Sequence, residues 1–247
     1  LQRRNIWQRP SRERMDSSVG PRSVIAAAGL GEQVPDRRRQ VWRGHALVSP
    51  PMTRTVFETP IIAPLLRGGA RSLLRVLGWR VEGELSPRAA RCVVIAAPHT
   101  SNWDFPYTLL AAFALGMHIR WLGKASLFRA PFGGAARWLG GIAVSRDRSS
   151  NLVASSVAAL QAAPGPLQVV VSPEGTRSRA ARWKTGFHHM ARGAGLPIQL
   201  SYLDWGERRC GLGPLVDPGD DVQADIARIK AFYAPFRGRN AEQFDQG

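Results

Sequence analysis

From residue 90 onward short apolar runs alternate with longer amphipathic stretches. Cys92-Val93-Val94-Ile95-Ala96-Ala97 is apolar throughout and reads as a buried strand. Pro98 stops it, having no N–H for a ladder. A helix is expected from near Pro106 to residue 117, with Leu109, Leu110, Phe113 and Leu115 among its apolar positions and Ser101 or Asn102 able to cap it. A strand over 118–123 leads to Lys124. The helical stretch 126–139 holds Pro131 and Gly133-Gly134 and is expected to be broken. Strand 141–145, ending at Arg146, helix 150–162, strand 167–172, helix 186–194 and strand 197–203 follow. The last helix, 219–234, carries Val222, Ile226, Ile229, Phe232 and Tyr233 at core spacing. Such alternation predicts an α/β domain, a mostly parallel or mixed sheet flanked by helices, over residues 91–240.

Upstream the pattern changes. In residues 58–82, Arg67, Arg71 and Arg75 recur every fourth position, while Ile62, Leu66, Leu73, Leu77 and Trp79 fall largely opposite. Gly68-Gly69 is expected to break or bend this element. Residues 52–90 therefore read as an amphipathic helical segment suited to a membrane interface, or as a surface helix packed on the core. Residues 1–51 contain ten arginines, four acids and only short apolar pieces. They read as a disordered basic arm or as sequence upstream of the true start, for which Met52 is a sensible candidate.

Composition narrows the partners. Hydrophobic residues make up 44% of the 247, enough for a real core. The net charge of +16 comes from 34 basic residues, of which only Lys124, Lys184 and Lys230 are lysines. That surplus implies an anionic partner: membrane surface, nucleic acid or phosphorylated substrate. Two cysteines, Cys92 in a core strand and Cys210 in an expected loop, give neither a disulfide framework nor a metal cluster. No apolar run reaches the roughly 18–20 residues that would cross a bilayer.

The polar clusters follow the strands. His99 and Asp104, five apart, would be about 140° from one face on a regular helix. They meet only if His99 lies in the turn and Asp104 in the first helical turn; otherwise they are a strand-end histidine and a helix-cap aspartate that never touch. If they meet, the carboxylate fixes one ring nitrogen and leaves the other free as a base. Glu174-Gly175-Thr176-Arg177 follows strand 167–172. Gly175 lets backbone N–H groups approach an anion, Thr176 adds a hydroxyl, and Arg177 can grip phosphate. Glu174 could orient Arg177 or Arg146, or bind a substrate hydroxyl. Arg146 is a second phosphate ligand or a salt-bridged surface arginine. Carboxyl ends of strands form the ligand crevice in open α/β sheets, so these clusters can converge. No Gly-x-Ser-x-Gly elbow, phosphate-binding Walker loop, Gly-x-Gly-x-x-Gly or His-x-x-x-His pair is present.

His-x-x-x-x-Asp at His99 and Asp104, with Glu-Gly-Thr-Arg about seventy residues on, resembles the glycerolipid acyltransferases related to bacterial 1-acylglycerol-3-phosphate acyltransferase. Lys124, Phe132-Gly133 and the run from Gly141 to Arg146 are similar to that family's second block. Leu196-Pro197-Ile198 is similar to its fourth, and Trp183-Lys184-Thr185-Gly186-Phe187 to its Lys-x-Gly-Phe segment. The likeness spans residues 58–205. Val144-Ser145, Ser172 and Leu200 depart from the usual pattern. Asn102-Trp103 and Tyr202-Leu203-Asp204-Trp205 look like a less studied branch; these departures bear on the acceptor, not on the reaction class.

The resemblance implies an O-acyltransferase of phospholipid synthesis. His99 would deprotonate the acceptor hydroxyl while Asp104 holds the imidazole. Arg146 and Arg177, with Glu174, Gly175, Thr176, Lys124 and Lys184, would bind substrate, the two arginines at its phosphate. The donor would be an acyl-CoA or acyl-ACP thioester, with no permanently bound cofactor and no metal. The acceptor would be a lysophospholipid such as 1-acylglycerol-3-phosphate, or a lyso-ornithine-type lysolipid. The enzyme would sit peripherally or monotopically on the cytoplasmic face of the cell membrane, bound to its anionic surface and not to nucleic acid. A non-catalytic basic membrane-binding module, or a hydrolase passing the acyl group to water, are the rival readings.

Overall fold

The computed structural model describes residues 54–144, 149–162, 165–180 and 182–244. Strand β2 (Arg91–Ala97) lies inside a sheet of seven strands among these residues, between β6 (Ile198–Asp204) and β5 (Leu167–Val171). Beyond β5 come β3 (Ile119–Lys124) and β4 (Gly141–Val144); beyond β6 come β7 (Arg209–Val216) and β1 (Arg80–Glu82). The five strands β6, β2, β5, β3 and β4 are mutually parallel. β7 runs antiparallel to β6, and β1 pairs parallel with β7. The sheet is thus mixed and mostly parallel.

Both faces are covered, which is why β2 is apolar at successive positions. Val93, Ile95 and Ala97 face a core completed by α5 (Gly186–Ala194) and α6 (Val222–Tyr233), with α4 (Ser149–Ala162) packed alongside. Cys92 and Val94 face the other core, under α2 (Asp104–Leu115), while α1 (Ile62–Val76) packs against α2. The stretch after β3 is broken as its Pro131 and glycines suggest, into a 3₁₀ turn (Ala125–Phe128) and α3 (Gly133–Trp138).

Four expectations are corrected. Helix α1 runs unbroken through Gly68-Gly69; nothing approaches either glycine, and the buried Ala70 and Leu74 hold the helix. Helix α2 starts at Asp104, not near Pro106, and neither Ser101 nor Asn102 caps it by side chain. Ser101 Oγ instead accepts from Trp103 N (3.2 Å), inside the preceding turn. Cys210 is not in a loop but buried in β7. Strands β1 and β7 themselves are additions: β1 has three residues, and β7 contains Gly211, Gly213 and Pro214, which read as breakers. Pro214 is accommodated where the β6–β7 register shifts between Gln199 and Ser201, and the Gln199 amide donates to Gly213 O at 2.7 Å there.

Two exposed arginines of the α1 stripe, Arg67 and Arg71, reach back to the fold. Arg71 Nε donates to Ala114 O at 2.9 Å, and the Arg67 guanidinium lies over Gly116, so both serve the carboxyl end of α2. An apolar stripe faces outward instead, with Leu65 70%, Ile61 76% and Val76 83% exposed.

Candidate active site

Because β2, β3, β4, β5 and β6 are parallel, their carboxyl ends open on one edge of the sheet. His99, Glu174, Lys124 and Trp205 follow or end four of these strands there. Arg146, just after β4, lies outside the described residues.

The turn after β2 is built around one carboxylate. Asp104, buried at the first position of α2, turns back so that Oδ2 accepts from Thr100 N (2.7 Å) and Ser101 N (2.8 Å). Its other oxygen, Oδ1, accepts from Trp205 Nε1 at 2.8 Å. Three N–H donors thus fix the orientation of this buried carboxylate at the amino end of the helix. His99 Nδ1 stands 3.4 Å from Asp104 Oδ2, within ion-pair reach, and its side chain keeps 30% of its surface exposed. No described residue occupies Nε2. The structure therefore brings together the histidine and aspartate that the sequence left five positions apart.

Glu174 completes the inner side. It is buried, with Oε1 accepting from His99 N (3.1 Å) and Oε2 from Ser172 Oγ (2.7 Å). Burial pushes its carboxyl up to about 7 against the opposing pull of those two hydrogen bonds. It thus stands behind the histidine and does not orient Arg177. That arginine donates through Nη1 to Asn102 Oδ1, linking the turn after β5 to the turn after β2. Gly175 has φ +65°, and a Cβ there would come within 2.5 Å of Lys184 Nζ. The lysine's ammonium is therefore packed on the glycine turn. Lys184 N also donates to Pro173 O at 2.8 Å. Thr176 and Arg177 are exposed beside it, and Thr176 Oγ1 accepts from Ser178 N at 3.2 Å. Lys124 is exposed at the end of β3, with β5 between it and β2.

A cavity with about 500 Å³ of empty space, its mouth included, lies between α2 and the sheet. Val94, Ala111, Leu115, Ile119 and Leu212 make its walls apolar, and His99 and Asp104 line it as well. The thiols of Cys92 and Cys210 are buried, and burial pushes both up to about 12.

Sequence reasoning did not identify Trp205, Asn102 or Ser172 as neighbours of the site. The position of Trp205 directly after a parallel strand was the available signal.

Fold and site define an α/β enzyme whose ionisable side chains gather at the carboxyl edge of a parallel sheet. Residues 78–200 match the family model described as Acyltransferase, and the chain belongs to that family and is an acyltransferase. Among solved structures it is similar to the 1-acyl-sn-glycerophosphate (LPA) acyltransferase PlsC from Thermotoga maritima. That likeness has 17% identity, covers 68% of this chain and 78% of the other, and has a TM-score of 0.47. No curated protein matches the chain.

Proposed function

We propose that the protein transfers a fatty acyl group from an acyl-CoA or acyl-ACP thioester to the hydroxyl of a lysophospholipid, with 1-acylglycerol-3-phosphate as the leading acceptor. The observation that carries this reading is the His99–Asp104 pair at 3.4 Å, with no described residue on its second nitrogen, beside an apolar cavity. His99 Nε2 takes the proton of the acceptor hydroxyl. The oxygen attacks the thioester carbonyl carbon, and the C–S bond breaks. The leaving thiolate takes the proton back from the imidazolium, so nothing remains on the enzyme. General-base help of this kind contributes roughly 10²–10⁴-fold.

Arg177, Thr176 and Lys184 around Gly175, joined by Arg146, hold the acceptor's phosphate; Lys124 adds positive charge at the same edge. Glu174 supports the histidine turn from behind. The apolar stripe of α1 rests in the membrane interface, in a segment spanning 52–90 ahead of the catalytic domain at 91–240. No described helix is long and apolar enough to cross a membrane. The cytoplasmic face is the side on which soluble acyl thioesters meet lysolipid, and a basic arm over 1–51 adds attraction to anionic lipid. Incubating the protein with labelled acyl thioester and a lysolipid panel, and identifying the product by mass, tests the reading. Acylated lysophosphatidate is the expected product. Acylation of an ornithine lysolipid alone moves the acceptor, and release of free fatty acid alone overturns the transfer.

A further inference from the structure

Asp104 is held from two sides, and only one belongs to its own turn. Thr100 and Ser101 supply backbone donors to Oδ2, the oxygen that faces His99. The donor to Oδ1 is the indole of Trp205, 101 residues away and outside the segment 78–200 matched by the family. That indole is itself fixed. Its backbone N–H donates to Arg237 O at 2.9 Å. Trp79 meets it edge-on at 5.0 Å and Tyr107 packs at 4.8 Å. The Arg239 guanidinium lies 4.7 Å over its ring, which draws electron density from the indole and strengthens its N–H as a donor. Asn240, on the same segment, binds Thr100 through both its N–H (3.2 Å) and its amide (2.9 Å), so the chain after α6 closes over the turn that carries His99.

We propose that Trp205 is a positioning residue for catalysis: its N–H holds Oδ1 so that Oδ2 stays directed at His99. The inference rests on the general-base reading above. With the indole N–H removed, the carboxylate can rotate about its Cβ–Cγ bond, and the imidazole loses its fixed orientation. Ground-state binding of donor and acceptor does not involve Oδ1 and is untouched.

The test compares Trp205→Phe, which keeps an aromatic ring but no donor, with wild type and with Asp104→Asn. The expected result is a kcat lower by about ten- to a hundredfold, the range of a hydrogen bond to a charged group, with KM for thioester and lysolipid within about twofold. In the Asp104→Asn background the same change costs less than about twofold, since both act through one contact. An unchanged kcat, a loss confined to KM, or a loss of equal size in the Asp104→Asn background overturns the proposal. If Trp205→Phe does not fold, benzothienylalanine at position 205, which replaces the indole N–H by sulfur in the same shape, gives the same comparison. His99→Ala, measured in parallel, separates the two ideas. Full turnover in that variant removes the general-base reading itself. An inactive His99→Ala with unaffected Trp205→Phe removes only the role of the indole.

Discussion

Glu174 Oε1 accepts the backbone N–H of His99 at 3.1 Å, so the turn after β5 is pinned to the turn after β2 by a buried carboxyl that titrates near 7. The contact ties two segments 75 residues apart in sequence and sets the height of the histidine above the sheet. It also makes the fold sensitive to pH. The folded-state value is raised above an ordinary carboxyl value of 4.5 by burial, so the native state holds this proton more tightly than the unfolded chain does. Its contribution to stability is full below about pH 4.5 and is lost as pH rises to about 7.

Glu174→Gln keeps an acceptor for His99 N and an amide for Ser172 but does not titrate. Relative to wild type, this variant gains stability between pH 4.5 and 8, by up to about 3 kcal/mol. Denaturant unfolding at both pH values measures it. Parallel pH dependences in the two proteins would show that Glu174 is ionised alike in the folded and unfolded states.

Gly175→Ala tests the turn that carries Thr176 and Arg177. The φ of +65° disfavours a Cβ, and the added atom would meet Lys184 Nζ at 2.5 Å. The expected outcome is a loss of about 1–2 kcal/mol in stability and a raised KM for the phosphorylated acceptor. Thermal unfolding and acceptor saturation curves check the two parts.

Arg71→Ala removes the donor to Ala114 O and should cost about 1 kcal/mol, because a helix-end carbonyl loses a cationic partner. Binding to anionic vesicles should change little. The reverse pattern, unchanged unfolding with weakened vesicle binding, would make this arginine a lipid ligand.

Leu65→Glu places a charge in the outward stripe of α1, where the leucine is 70% exposed. Stability should stay within about 0.5 kcal/mol, while partition onto phosphatidylglycerol vesicles falls by roughly tenfold or more. Equal partition of variant and wild type would mean that this face does not enter the interface.

Several of these relationships were legible in the sequence and others were not, for identifiable reasons. The run from Cys92 to Ala97 is apolar at every step because both faces of β2 are covered, and that pattern announces both the strand and the turn behind it. Helix α6 begins close to where expected because Asp221 caps it, accepting from Gln223 N and Ala224 N at 3.0 Å each. Strand β7 was hidden because Gly211, Gly213 and Pro214 signal a loop locally, while pairing with β6 and β1 outweighs that signal. The stripe of Arg67 and Arg71 was visible as a pattern, but its direction depends on where the end of α2 falls, which no local window contains. The same holds at the site. His-x-x-x-x-Asp is local, whereas the indole on Asp104 and the carboxyl behind His99 arrive through tertiary contacts.

The central claim is that His99 carries the proton of the reaction. Wild type and His99→Ala, each shown by circular dichroism and thermal unfolding to be folded, are given radiolabelled acyl thioester and 1-acylglycerol-3-phosphate, and the diacyl product is counted. The account predicts product from the wild type and a loss of at least about 10²-fold in the variant. Product formation by His99→Ala at the wild-type rate would contradict it.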